Sequence, residues 1–292
     1  MTDTVWAYLN NEFVPVEAAR ISPFDRGFLF GHAAYEVTAI YGGQLIDAPG
    51  HLARLERTLQ ALEIANPHSD ADWLDLHNGL IDRNQLDEGL IYLQVTGGAY
   101  GERDFSGPQA LSPSVFMFST ARSLISDKAR DGIAVITLTD TRWVRRDLKT
   151  TQLLSQALAY RAARAAGAET AILHEDGKVT EAASANVWMV GADGVLQTRD
   201  LSSAILPGIT RASVIGQAAD LGLEVREAAF SLEALRGARE VFTTSAGALI
   251  APVISIDGEP VGDGVPGPVT RQVQRAYYTA MGADLSAYGD WL

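Results

Sequence analysis

Cysteine is absent from the 292 residues. Disulfides, thiolate nucleophiles and Cys-ligated metals are therefore excluded. Lysine is nearly absent as well: Lys128, Lys149 and Lys178 stand against 20 arginines. Chemistry that needs a primary side-chain amine has only three candidates. No apolar run approaches the ~20 residues that span a bilayer, so no membrane association is expected. The opening MTDTVWAYLNNEFVPVEAA has no basic stretch leading into an apolar one, so no secretory signal is expected and the cytoplasm is the expected location. Positive charge is in deficit, 23 bases against 36 acids for a net charge of −13, which argues against a broad nucleic-acid-binding face. The chain shows no HExxH, GxSxG or Walker pattern. Its five histidines (His32, His51, His68, His77, His174) lack paired ligand spacing, so no metal is expected.

What is present is ordinary globular material. Hydrophobic residues make up 47% of the chain, enough for a sizeable core and too much for disorder. Residues 5–9 and 13–16 read as a hairpin around Asn10-Asn11. Residues 34–41 and 44–46 read as strands around Gly42-Gly43. Leu52, Leu55, Leu59 and Leu62 recur at helical spacing, predicting a helix over 49–62. A second helix is expected over 71–83, with Asp70 placed to cap it. Strands are expected at 90–95 and 114–118, and the Gly- and Pro-rich stretch between them reads as a long loop of the kind that often carries function. The second half predicts strands at 133–139, 171–174, 179–180, 186–190, 240–244 and 253–256. It predicts helices at 153–166, 210–221 and 268–281. Strands with scattered helices and several hairpins imply an α+β protein rather than a regular βαβ array.

Four clusters can carry chemistry. Lys128 and Lys178 lie in polar or turn sequence and read as solvated. Lys149 lies in RWVRRDLKTTQLL, between a predicted strand and a predicted helix. Neighbouring cations Arg142, Arg145 and Arg146, together with desolvation, favour the free amine that a Schiff base needs; the alternative is a surface lysine in a basic cluster. Glu181 opens EAASANVWMV, whose small residues leave room for a flat ligand. It reads either as a carboxylate paired with a protonated ring nitrogen or as a solvent-facing glutamate. In LPGITRAS, Gly208 precedes a helix whose first NH groups, near Ile209 and Thr210, suit a phosphate, although Thr210 is equally a plain N-cap. TTSAGAL ends a strand with hydroxyls and small residues, and Arg54 reads either as a phosphate-binding guanidinium or as a solvated side chain.

These clusters occur in a meaningful order. FDRGFLFGHAAYEV, HLARLERTL, RWVRRDLKTTQLL, AILHEDGKVTEAASANVW, ILPGITR and VFTTSAGALIAPVISIDG together resemble the class IV aminotransferases, the fold-type IV pyridoxal-phosphate enzymes. The resemblance spans about residues 5–280, and its spacing is most similar to the D-amino acid aminotransferases. It implies two α/β domains with the cofactor between them: a smaller one over 1–121, a linker over 122–127 and a larger cofactor-binding one over 128–292. It implies pyridoxal 5′-phosphate as cofactor and an amino donor and a 2-oxo acid as substrates. It also implies a homodimer with its site at the subunit and domain interface. Lys149 is implied as the catalytic lysine that condenses with the cofactor and shuttles the proton. Glu181 would face the pyridine nitrogen, and Leu206 would pack behind the ring. Arg54, Ile209 and Thr210 would hold the phosphate, with Ser245 and Ala246 at the other phosphate-contacting strand end. Tyr35 would face the substrate.

Substrate recognition departs from the resemblance. D-amino acid aminotransferases end the strand in Thr-Arg-Gly, with an arginine and a histidine on the next loop gripping the substrate carboxylate. This chain reads Thr96-Gly97-Gly98 there, with Arg103 on the loop and no matching histidine. It also carries His32 where relatives commonly have an acid. His32, Arg103 and Tyr35 are the expected substrate-binding residues. A weakened carboxylate grip favours primary amines, so an (R)-selective amine transaminase stands beside the D-amino acid reading. Branched-chain aminotransferase and aminodeoxychorismate lyase are further alternatives, and a catalytically silent scaffold is the alternative outside enzymology.

Overall fold

The computed structural model describes residues 4–108 and 111–292. The chain divides into two compact units, residues 1–123 with 148–152, and residues 124–147 with 153–292. The segment carrying Lys149 thus groups with the first unit. Leu124 and Ile125, inside the expected polar linker, are buried in the second unit.

The first unit contains β1 (Trp6–Leu9), β2 (Glu12–Pro15), α1 (Arg26–Phe30), β3 (Ala33–Tyr41), β4 (Gln44–Leu45), α2 (Ala48–Ala61), α3 (Asp70–Asn84), β5 (Gly89–Thr96) and β6 (Val115–Ala121). Its six strands form an antiparallel sheet in the order β2-β1-β6-β5-β3-β4. The Asn10-Asn11 and Gly42-Gly43 turns close their hairpins with positive φ at both central residues, as tight two-residue turns demand. Leu52, Leu55 and Leu59 of α2 bury against Ile40, Ile91, Leu93 and Met117 of the sheet, each full burial contributing roughly 1.5–3 kcal/mol. The expected Asp70 cap is instead Ser69, which accepts from the Asp72 amide while Asp72 reaches back in a capping box. Asp70 is the first helical residue. Of the long loop after β5, residues 109–110 lie outside the described residues.

The second unit contains α4 (Asp127–Asp131), β7 (Ile133–Thr139), α5 (Leu154–Ala165), β8 (Thr170–Glu175), β9 (Lys178–Ala182), β10 (Asn186–Val190), β11 (Leu196–Thr198), α6 (Ile209–Ala218), β12 (Val225–Glu227), α7 (Leu232–Arg236), β13 (Glu240–Ser245), β14 (Leu249–Ile256), β15 (Glu259–Pro260) and α8 (Pro268–Ala280). Its mixed sheet runs β12-β11-β10-β13-β14-β7-β8-β9, with β15 beside β14. The nearly continuous burial of β10, β13 and β14 marks strands covered on both faces. Among the described residues no helix is long and apolar enough to cross a membrane, and no cluster of potential metal ligands occurs.

Candidate active site

In the first unit the candidate residues are built on β3. Side chains alternate faces along a strand, so Tyr35 and Glu36 point to opposite sides of the sheet. Tyr35 joins a stack with Tyr92, centroids 5.6 Å apart, and Tyr92 continues to Phe118 at 5.1 Å. Burial pushes the Tyr92 hydroxyl well above the ordinary tyrosine range, and it donates to Gln94. Lys149 lies on this side, its Nζ 4.1 Å from the Tyr35 ring centroid, a distance at which the ring face attracts an ammonium.

The Lys149 backbone is fixed by the same strand. Its carbonyl accepts from the Tyr35 amide at 3.0 Å, Thr150 pairs with Ala34, and the Thr151 amide donates to the Ala33 carbonyl. Its own amide reaches the Thr58 hydroxyl of α2 at 3.4 Å. The expected strand-to-helix junction is therefore corrected. Lys149 lies on an irregular segment clipped to β3, and α5 begins only at Leu154. Lys149 is half-buried, whereas Lys128 and Lys178 are exposed and Lys128 is ion-paired with Glu169.

Arg54 belongs to the helix-covered side of the sheet. It is buried, not solvated, and grips Glu36 through two nitrogens, Nε at 2.8 Å and a terminal nitrogen at 2.7 Å. His51 Nδ1 lies 2.8 Å from the same carboxylate. Burial alone would raise the Glu36 pKa, but Arg54 and His51 outweigh it and hold Glu36 down at about 2.

In the second unit the candidate residues are built on β9 and β10. Glu181 is buried, which overturns the solvent-facing reading. One oxygen pairs with Arg142, and the other accepts from Asn186 Nδ2 and the Leu206 amide, both at 3.1 Å. Burial pushes the Glu181 pKa up, and Arg142 offsets this only in part. Arg142 is shared: it also donates to Asp140 through Nε and a terminal nitrogen, and Asp140 accepts from Thr180. The three arginines near Lys149 in sequence are thus neutralised in pairs, Arg145 with Asp147 and Arg146 with Glu175 and Asp140. They are not a bare cationic cluster.

Asn186 also donates to the Leu206 carbonyl at 2.9 Å, so it ties Glu181 to the turn before α6. That turn needs glycine: a Cβ on Gly208 would sit 1.9 Å from Asn186 Oδ1. Gly208 is the N-cap of α6, and no side chain of the N-cap satisfies the first amides. The N-cap reading of Thr210 is corrected accordingly, since Thr210 is the second residue of the helix and buried. Contrast α8, which follows a Gly-x-Gly-x-x-Gly run at 262–267. Its Val269 and Thr270 amides already donate to the Glu240 carboxylate, which leaves no place for a phosphate. Ser245 and Ala246 are half-buried at the end of β13, and the Ser245 hydroxyl accepts from the Ala248 amide.

The remaining expected residues lie in the first unit. Arg103 is exposed, its guanidinium 4.7 Å from the Phe105 ring and 5.6 Å from Phe30. Both ring nitrogens of His32 are engaged by protein, Nδ1 by Arg26 and Nε2 by the Leu62 carbonyl. Sequence reasoning missed Asp140, Arg142 and Asn186 as a group around Glu181, and Glu36 and His51 as partners of Arg54. The Asn186 position was visible in the Val-Thr-Glu-x-x-x-x-Asn spacing. The Asp140 and Glu36 pairings left no local signal.

Comparison with known proteins decides the family. The model of amino-transferase class IV matches residues 33–256. The chain is a class IV aminotransferase. It is 36% identical to the D-alanine aminotransferase of Staphylococcus aureus (strain MSSA476), over 92% of this chain and 95% of that one. Among solved structures it resembles the Escherichia coli branched-chain amino acid aminotransferase, with a TM-score of 0.88, 26% identity and 95% of each chain covered. It also resembles the branched-chain amino acid aminotransferase of Thermobaculum terrenum in its PLP-bound holo form, with a TM-score of 0.84, 25% identity, and 98% of this chain and 97% of that one covered. The α+β reading and the fold-type IV architecture hold. This class IV aminotransferase is a pyridoxal-phosphate-dependent transaminase. Its residues fit that cofactor: Glu181 is a buried carboxylate short of positive charge, and α6 begins on a glycine that leaves its first amides uncapped.

Proposed function

We propose that this transaminase moves an amino group from a D-amino acid, D-alanine included, to a 2-oxo acid, the donor leaving before the acceptor binds. The observation that carries this reading is the 36% identity to a D-alanine aminotransferase over nearly the whole of both chains. We assign Lys149 as the catalytic amine and Glu181 as the partner of the pyridine nitrogen. Ile209, Thr210 and Arg54 are assigned to its phosphate, with Ser245 and Ala246 as lesser contacts and Leu206 behind the ring. When bound, pyridoxal phosphate supplies the electron sink that lets the donor's Cα–H bond break.

The residues divide the remaining work. Lys149 Nζ anchors the cofactor and then holds the proton taken from the donor. The Tyr35 ring restrains that amine from one side. Asn186 and the Leu206 amide fix one Glu181 oxygen and Arg142 fixes the other, so the carboxylate cannot turn away. The uncapped amides of α6 suit a dianion. Arg103 is assigned to the substrate carboxylate. Arg103→Ala is expected to raise KM for D-alanine about tenfold while leaving KM for (R)-1-phenylethylamine unchanged; equal effects on both would overturn the assignment.

A second reading, an (R)-selective amine transaminase, is favoured by position 97. That residue is a glycine, and both nitrogens of the adjacent His32 are committed to protein, so neither offers a carboxylate contact. A donor panel decides between the readings: D- and L-alanine, branched-chain amino acids and both enantiomers of 1-phenylethylamine, with pyruvate and 2-oxoglutarate as acceptors. Preference for D-alanine supports the first reading, and preference for the (R)-amine replaces it. A homodimer and a cytoplasmic location complete the proposal, on the family resemblance; light scattering and cell fractionation test them.

A further inference from the structure

Position 97 is closed by a particular neighbour. A Cβ built on Gly97 would lie 2.4 Å from His32 Nδ1 and 2.7 Å from His32 Cε1. The backbone of Gly97 is not among those with positive φ, so its conformation is open to any residue. The nearest obstacle to a side chain there is the imidazole.

That imidazole is held at both nitrogens. Nε2 lies 2.8 Å from the carbonyl of Leu62, which ends α2, and Nδ1 lies 3.1 Å from Arg26 Nε. A carbonyl only accepts and a guanidinium only donates, so the ring donates through Nε2 and accepts through Nδ1. Arg26 then reaches across the loop after β5. Its terminal nitrogens donate to the carbonyls of Asp104 and Phe105, both at 2.9 Å, and its amide donates to the Gly98 carbonyl at 2.9 Å. Arg103 directly precedes the clamped carbonyls and lies against Phe105 and Phe30. An Asp25–Ala99 bridge and a Phe30–Phe105 ring contact at 5.0 Å also touch the loop, although Tyr100 and Phe105 remain exposed.

We propose that His32 is a positioning residue rather than a substrate contact. It fixes the loop at 98–105 through Arg26, and so sets where the Arg103 guanidinium is presented, while its ring reserves the side-chain space at position 97. An imidazole at 32 and a side chain at 97 are then mutually exclusive. The cation available for an anionic substrate is displaced from the strand end to the loop. The last clause rests on the assignment of Arg103 to the substrate carboxylate; the loop-fixing role does not.

The test combines amide hydrogen exchange over 98–105 with steady-state kinetics on the holoenzyme. His32→Ala and Gly97→Ala are each expected to speed exchange there about tenfold, the loss of one hydrogen bond to a charged group. Each should also raise KM for D-alanine about tenfold with kcat within about twofold, and leave KM for (R)-1-phenylethylamine unchanged. His32→Asn keeps an acceptor toward Arg26 and should restore most of the protection. In the His32→Ala background, Gly97→Ala should add nothing, because the clash it creates has been removed. Unchanged loop exchange in His32→Ala overturns the proposal, as do additive effects in the double variant. Faster exchange with an unchanged KM for D-alanine supports the loop-fixing role and overturns the Arg103 assignment instead.

Discussion

Each unit buries a glutamate against an arginine, and the two pairs are displaced in opposite directions. Glu36 is lowered to about 2, whereas Glu181 is raised. Burial acts the same way on both, so the difference lies in how much positive charge answers it. Glu36 faces Arg54 through two nitrogens, with His51 added. Among the described residues Glu181 ion-pairs with Arg142 alone, and Arg142 is divided with Asp140, itself an anion that pushes Glu181 further up. The first pair is answered within its own unit, and Arg54 is assigned to the phosphate on top of that pairing. The second leaves the carboxylate raised, and in the proposed function a protonated ring nitrogen would answer it. A buried carboxylate that is undercompensated by its own chain marks a ligand site better than burial does.

The largest test of this contrast is Lys149. Lys149→Ala is expected to remove the visible absorbance of the lysine-bound cofactor and to lower kcat by about 10⁴-fold, the upper range for one proton-transferring group. Retention of both would show that the chemistry of the first unit lies elsewhere. Next comes Glu36→Gln, which strands Arg54 in a buried site. A loss of about 3–5 kcal/mol in chemical denaturation is expected. The sign of its pH dependence follows from the lowered pKa. The stabilisation is whole above the ordinary carboxylate range and disappears as pH falls from about 4.5 toward 2. Acid titration of wild type against Glu36→Gln should therefore converge at the acid end. Convergence at neutral pH would mean that the pair is not a stabilising one.

Glu181→Gln sharpens the contrast from the other side. Because its pKa is raised, the ionised carboxylate costs stability as pH rises, and Arg142 keeps Asp140 when Glu181 is neutralised. The cofactor-free variant should be at least as stable as wild type at neutral pH, while kcat falls about 100-fold. Marked destabilisation would place Glu181 with Glu36 as a structural pair. The smallest effect is expected from Asp140→Asn, which frees Arg142 to serve Glu181 alone. It should lower the Glu181 pKa and cut kcat about tenfold by weakening the partnership with the ring nitrogen; an unchanged kcat–pH profile would remove Asp140 from the argument.

Much of this was legible along the chain. The hairpins at Asn10-Asn11 and Gly42-Gly43 were readable because each turn needs residues that tolerate positive φ, and these supply them. Helix α2 was readable from its leucine spacing. Short elements such as α1, α4 and α7 were not, because five residues carry too little periodicity to be seen. Lys149 stood out by rarity and Glu181 by the small residues after it. Arg54 was singled out, but its pairing with Glu36 was not, since the two lie 18 positions apart on different elements. The cap of α3 was misplaced by one residue because Ser69 and Asp70 are both good caps by composition, and only the reciprocal bond with Asp72 separates them.

By itself the sequence determined the family and singled out Lys149 and Glu181, because turn chemistry, helical period and a rare amine are properties of neighbouring positions. Tertiary structure alone decided which charges are spent inside the protein and which remain for a ligand: Arg142 between Asp140 and Glu181, Arg54 on Glu36, His32 between Arg26 and Leu62 over Gly97. The reason is electrostatic and steric. Compensation of a buried charge, like the space open to a side chain, is a sum over neighbours in space, and most of those neighbours are brought in from distant parts of the chain.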